Sequence, residues 1–254
     1  MHFNHYFTII FTLTAAELKG RYRNTIAGFF WVALNPIIMF GVHALVFKYI
    51  LKINTEHYFL FLLSGLLPWI FISQNLNMTC NSFITNRETL LSFQISPLFI
   101  LASKVIDNFI NFLFPFLLIF FTLAFYETYD PVGLLFLPLN ILLLIIGTFG
   151  LTVIFATLQV YLRDTQYILN FGLSILYFVT PIFYPAEMVP KYLQFLLKIN
   201  PIYLMIKPFQ IALWKFDLAL YLEALLTGSI AVLFITFLAI MIWRYKKNEL
   251  YLNI

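Results

Sequence analysis

Residues 134–160 read LLFLPLNILLLIIGTFGLTVIFATLQV, without one Asp, Glu, Lys, Arg or His. About 20 apolar residues in a helix cross the roughly 30 Å hydrocarbon layer of a bilayer, so this stretch alone is long enough to span it. Outward from it lie five runs of similar character: Ile26 to Phe47, Tyr58 to Met78, Val105 to Tyr126, Tyr167 to Phe183 and Tyr221 to Trp243. A chain in hydrocarbon has to satisfy its backbone polar groups internally, which helices do. The pattern predicts an all-α integral membrane protein with six transmembrane helices.

Composition supports that solvent. Of 254 residues, 62% are hydrophobic and 10% charged, against about 25% charged in soluble domains. Phe occurs 31 times and Tyr 15 times, so a fifth of the chain is aromatic, more than interfacial belts require. The net charge of +4 comes from 15 Lys and Arg placed between the apolar runs. They form no basic patch that suggests nucleic acid.

Several chemistries lack their residues. Cys80 is the only cysteine, which leaves no internal disulfide and no cysteine metal cluster. His2 and His5 are accompanied by no H-E-x-x-H pattern or paired carboxylates. The phosphate-cradling pattern G-x-x-x-x-G-K-[ST] is absent, so the chain is not expected to hydrolyse ATP by itself in that way. Ion coupling would place ionisable groups in mid-membrane. Asp107, however, sits three residues after Lys104, within pairing reach on one helix face. Glu223 is near the end of its span, where it can reach the interface, and His43 is the one ionisable side chain of the first span.

The segments between the spans set orientation. Phe3, Phe7, Ile10, Leu13 and Leu18 recur at helical spacing opposite His5, Thr8, Thr12, Lys19 and Arg23, which predicts an amphipathic interface helix over residues 1–24. Met1 to Ala16 has no basic region ahead of its apolar stretch and no small-residue cleavage pattern, so retention is expected. Lys19, Arg21, Arg23, Arg87, Lys104, Arg163, Arg244, Lys246 and Lys247 lie on one side, and Lys48, Lys52, Lys191, Lys198, Lys207 and Lys215 on the other. Nine against six puts both termini, including the 244–254 tail, in the cytoplasm by the positive-inside rule. The long connection 184–218 holds apolar pieces, Tyr192 to Leu197 and Ile202 to Ile206, too short to span, and re-entrant or interfacial helices are expected there. Asn35-Pro36, Leu67-Pro68 and Thr180-Pro181 are expected to bend or open their helices.

Glu17-Leu18-Lys19-Gly20-Arg21-Tyr22, followed by Thr25, Gly28, Trp31, Leu34 and Pro36, resembles the opening of the permease subunits of polysaccharide and polyol-phosphate ABC exporters. The resemblance continues through Tyr161-Leu162-Arg163-Asp164, Thr180-Pro181-Ile182-Phe183-Tyr184-Pro185 and Asn200-Pro201, in the family's order and spacing. One departure is Gln210, beside Lys207, where many relatives carry arginine. The resemblance implies a type-2 ABC permease fold: an interface helix, six spans and two short re-entrant helices between spans five and six, all in one transmembrane domain over residues 1–254. It implies no cofactor on this chain. Two copies would pair around one channel in the bacterial inner membrane, each docked on an ATPase subunit that binds ATP and Mg.

Within that frame the aromatic surplus gains a purpose, because a ring can cover the C–H face of a sugar with little demand for one orientation. The candidate pathway residues are Tyr22, Phe29, Phe30, Trp31 and Asn35 at the first span and Tyr177, Phe178, Phe183 and Tyr184 at the fifth. Coupling must cross the cytoplasmic face, where charge meets helix ends at Glu17, Lys19, Arg21 and Arg23, at Arg163 and Asp164, and at Arg87 and Glu88. Asp164 is also placed to cap the helix beginning near Thr165. The expected cargo is a lipid-linked polysaccharide of O-antigen or capsule type. Teichoic acid, small lipids or drugs are alternatives, and a membrane enzyme acting on lipid-linked sugars is a further one.

Overall fold

The computed structural model describes residues 2–22, 30–93, 95–123 and 131–254, and all regular structure in them is helical. Helix α1 (His2–Tyr22) precedes α2 (Phe30–Ala44), which continues as a π-helix over Leu45–Ile50. After α3 (Tyr58–Thr79) come the short α4 (Ser82–Thr85) and α5 (Arg87–Phe93), then α6 (Pro97–Leu123). The short α7 (Pro131–Leu135) leads to α8 (Leu137–Tyr161) and α9 (Thr165–Val179). Two 3-10 turns, α10 (Gln194–Ile199), α11 (Pro201–Leu213) and the 36-residue α12 (Leu218–Asn253) complete the chain.

Six transmembrane helices were expected, and among the described residues four helices are long and apolar enough to cross a membrane: Tyr58–Thr79, Pro97–Leu117, Leu137–Tyr161 and Leu218–Tyr251. The expected first span begins outside the described residues, and its apolar helix there is the shorter Leu34–Ile50. The expected fifth span is cut to the 15 residues Thr165–Val179. Proline at 181 is the cause, since it disfavours helical geometry in the residue before it, and Thr180 is extended with ψ 129°. Elsewhere proline is absorbed: Pro36 and Pro68 stay inside α2 and α3.

The expected pair of re-entrant helices is also corrected. Its first piece divides between the 3-10 turn Lys191–Leu193 and the six-residue α10, with Leu197 the buried side chain of α10. Its second belongs to α11, whose Ile202, Met205, Ile206 and Phe209 are buried in the main core. That burial makes α11 an internal packing element rather than half of a re-entrant pair. Asn200 starts it: its side-chain oxygen accepts from the amides of Ile202 at 3.0 Å and Tyr203 at 3.2 Å, a side-chain cap with proline at the first helical position.

Small residues allow α8, α11 and α12 to pack closely, as in membrane bundles where apolar burial alone gives helices little preference for each other over lipid. A Cβ on Gly228 would come within 2.7 Å of the Leu204 carbonyl oxygen, and one on Gly147 would overlap the Met205 sulfur. Buried amides then lock the same helices: Tyr221 donates to Asn140 Oδ1 at 2.7 Å, and Asn140 donates to the Pro208 carbonyl at 3.2 Å.

The bundle has two distinguishable ends. One gathers both described termini: Tyr161 donates to the Lys246 carbonyl and Tyr251 to that of Ile95. A separate apolar cluster including Phe83, Leu101, Ala156 and Leu250 consolidates it. Helix α1 crosses α6 there, burying Thr14 while Phe7 and Phe11 remain exposed. At the far end Glu56 pairs with Lys215 at 2.8 Å, the Trp214 indole donates to the Glu56 carbonyl at 2.7 Å, and Phe136 stacks on Phe216.

Candidate functional site

Helices α2, α3 and α9 converge on a ring cluster. Phe183 lies nearly parallel to His43 and Phe47, with ring centroids 4.8 and 4.7 Å away. Tyr177 meets Phe183 edge-on at 4.9 Å, contacts Trp69 at 5.5 Å and hydrogen-bonds His43 Nε2 through its hydroxyl. His43 Nδ1 donates to the Met39 carbonyl at 2.5 Å, and its Nε2 shares a hydrogen bond with the Tyr177 hydroxyl. The histidine is thereby fixed as a ring-stacked member of the cluster.

Of the expected pathway residues, the structure brings Tyr177, Phe178, Phe183 and Tyr184 together, and Asn35 joins them through a neighbouring cavity. That cavity, about 170 Å³, is lined by Asn35, Met39, Trp69, Ser73, Gln74 and Tyr177 among others. Phe183 is buried, whereas Phe178 is 66% exposed, so they differ in what can reach them. Tyr184 donates to the Phe178 carbonyl at 2.7 Å. The α9 face carrying Tyr167, Ile168, Phe171 and Phe178 is exposed, as are Ile37, Ile38 and Val42 of α2. The side chains of Arg21, Tyr22, Phe30 and Trp31, together with Arg23 and Phe29, lie outside the described residues.

The segment after α9 is held from three directions. Tyr58 donates to the Phe183 carbonyl at 3.0 Å, Asn200 Nδ2 to Thr180 Oγ1 at 2.9 Å, and Gln210 Nε2 to the Pro181 carbonyl at 2.8 Å. The Asn-Pro and Thr-Pro motifs are therefore two halves of one joint. Gln210 is buried and engages backbone.

At the terminal end, Glu17 and the α5 region face one groove of about 570 Å³, lined by Leu13, Glu17, Met78, Asn86 and Thr89 among others. Glu17 pairs with Lys104 across α1 and α6 at 2.7 Å. Lys19, Arg87, Glu88, Arg163 and Asp164 are exposed. The expected cap by Asp164 is not made: its side chain accepts no backbone hydrogen bond. Gln159 supplies that function, its Oε1 accepting from the Gln166 amide at 2.8 Å while its Nε2 reaches the Asn81 side chain at 2.7 Å and the Arg163 carbonyl at 3.1 Å. Asn81 in turn donates to Gln166 Oε1 at 3.2 Å. A buried amide from the end of α8 thus clamps the Arg163-Asp164 turn onto the segment after α3.

Sequence reasoning missed Gln159, Asn81 and Gln166, and it passed over His43, Phe47 and Trp69 as cluster members. The available signal was an amide or imidazole inside an apolar run, where membrane proteins place polar groups that join helices.

A helical membrane bundle fits a membrane permease, and the chain belongs to the ABC-2 type transporter family, whose family model matches residues 8–214. It is a transmembrane permease subunit. It is 27% identical over 201 residues to an O-antigen export system permease protein RfbA of Klebsiella pneumoniae, covering 79% of this chain and 78% of that one. Similarity to the protein of the same name in Myxococcus xanthus is 29% over 181 residues, 71% of this chain and 70% of the other. With the polysialic acid transport protein KpsM of Escherichia coli it is 25% over 189 residues, 73% of each chain. Among the described residues, no group of three or more His, Cys, Asp or Glu is placed to hold a metal ion.

Proposed function

We propose that this chain is the channel-forming subunit of an ATP-driven exporter that moves lipid-linked polysaccharide, of O-antigen or capsule type, across the bacterial inner membrane. The observation that carries the reading is the ring cluster around Tyr177, which adjoins a cavity with the amides of Asn35 and Gln74 and the hydroxyl of Ser73. Rings cover the apolar faces of sugars, and the amides and hydroxyl exchange hydrogen bonds with their hydroxyls. The names of the relatives, O-antigen export and polysialic acid transport, support the same cargo class.

Two copies pair through the exposed faces of α2 and α9, which places the aromatic set of each beside a shared channel. The terminal end faces the cytoplasm and docks one ATPase subunit per copy, with ATP and Mg held by that partner. Glu17, Lys19, Arg21 and Arg23, with Arg87 and Glu88 across the α1–α5 groove and Arg163 and Asp164 on the clamped turn, form the contact. Tyr22, Phe29, Phe30 and Trp31 belong to the same pathway.

The test is copurification and hydrolysis. The purified chain alone is expected to hydrolyse no ATP above background, and its partner ATPase is expected to copurify with it and turn over ATP. Turnover by the isolated chain, or failure to retain an ATPase partner, would contradict the subunit role.

A further inference from the structure

A groove of about 900 Å³ runs between α12, α8 and the α10–α11 segment. Its wall along α12 steps through Glu223, Thr227, Ile230, Ala231, Phe234 and Leu238. At about 1.5 Å per residue, the distance from Glu223 to Leu238 is about 22 Å along the helix. One leaflet of hydrocarbon is about 15 Å deep, so the groove is as tall as one leaflet with its headgroup layer.

The two ends of the groove differ. Charge is confined to the end near α10 and α11, where Glu187, Lys198, Lys207 and Glu223 all line it. Below, Leu151, Ile154, Phe234, Ile235 and Leu238 form an apolar floor. Two cations and two anions thus share one rim, yet among the described residues none of the four forms a salt bridge. Charges kept apart over an apolar slot match an amphiphile whose head bears both signs.

We propose that this groove is a binding site for a bilayer phospholipid with an amine-bearing zwitterionic headgroup, of the phosphatidylethanolamine type, in the leaflet at the far end of the bundle. Lys198 and Lys207 receive the phosphate, as lysine does for phosphate generally and basic pockets do for lipid heads. Glu187 and Glu223 receive the ammonium. An acyl chain lies along Ile230, Phe234 and Leu238. The groove shares no residue with the ring cluster or its adjoining cavity, so it serves a resident lipid rather than cargo in the proposed channel.

The experiment places the full chain in phosphatidylcholine vesicles doped with phosphatidylethanolamine or phosphatidylglycerol carrying a photoactivatable acyl chain, and maps the adducts by mass spectrometry. The ethanolamine probe is expected to label residues 230–238 preferentially. Lys198→Gln with Lys207→Gln is expected to lower that yield about tenfold, as for the loss of about 1.4 kcal/mol. Glu187→Gln with Glu223→Gln is expected to bring it down to the yield of the glycerol probe. Ala231→Trp, which leaves all four charges in place and fills the slot, is expected to abolish labelling in protein whose thermal melting is unchanged. Equal labelling by both probes, or labelling indifferent to the charge variants and to Ala231→Trp, would mean that any lipid chain lies there and would overturn the assignment. Absence of label at 230–238, with cross-links between copies from the same residues, would overturn it by showing the groove to be covered by protein.

Discussion

Gln210 Nε2 lies 2.8 Å from the carbonyl oxygen of Pro181 and donates to it, tying α11 to the segment where α9 ends. The proline at 181 stops the helix, and the buried amide of Gln210 supplies a partner to the backbone so exposed. Gly65 makes room for the joint, since a Cβ there would lie 2.9 Å from Gln210 Nε2 and 3.4 Å from Ile182 Cα. Replacing Gln210 by Leu is expected to cost about 1–3 kcal/mol by leaving that carbonyl unsatisfied. Gly65→Ala is expected to cost a similar amount, about 1–3 kcal/mol, through overpacking. The two effects are expected to be less than additive in thermal melting of the purified protein, because both disturb one contact.

The turn after α8 separates structure from partner contact. Asp164 does not cap α9, whereas Gln159 accepts from the Gln166 amide and donates to the Arg163 carbonyl. Asp164→Asn is therefore expected to leave melting unchanged, so any loss of ATPase binding in that variant reports the docking surface. Gln159→Leu is expected to lower melting and to uncouple hydrolysis from export together. Measuring ATPase binding, hydrolysis and export on both variants decides. A melting loss in Asp164→Asn would contradict this division of roles.

Within the ring cluster, Tyr177→Phe removes only the hydroxyl that bonds His43 and keeps the ring against Trp69 and Phe183. Polar contacts of this kind between membrane helices average about 0.6 kcal/mol, so Tyr177→Phe is expected to fold and export nearly normally. Tyr177→Ala, which removes the ring, is expected to reduce surface polymer several-fold at equal membrane yield. Equal export by both variants would take the ring out of the pathway.

The far end carries a pH-sensitive tether. The Lys215 ammonium, by hydrogen bond and charge, holds the Glu56 carboxyl below its usual value of 4.5. A depressed carboxyl contributes its stabilisation fully above the usual value and loses it as pH falls through the lowered one. The Trp214 indole, bonded to the Glu56 carbonyl, is expected to report the loss as a fluorescence change confined to pH below about 4.5 and absent in Glu56→Gln. The pair is exposed at both ends, 55% and 73%, so its effect on overall melting is expected to be slight.

Hydropathy read the long helices well because an uncharged run such as 137–161 has one solvent and one backbone solution there. It overcounted at Tyr167 to Phe183, where apolar composition continues past a proline that ends the helix four residues early. It also missed the clamp at Gln159 and the joint at Gln210. Both are single amides whose importance depends on backbone groups brought from 7 and 29 positions away, a pairing that periodicity does not encode. Aromatic content announced the ring cluster in bulk, but His43 entered it only because α2 presents that position to α9.

The most direct measurement is the location of the polymer in cells lacking this chain. Lipid-linked polysaccharide is expected still to be made, to accumulate on the cytoplasmic side of the inner membrane, to disappear from the cell surface, and to return to the surface when the wild-type chain is restored. Undiminished surface polysaccharide in the deleted cells, with no internal accumulation, would contradict this expectation.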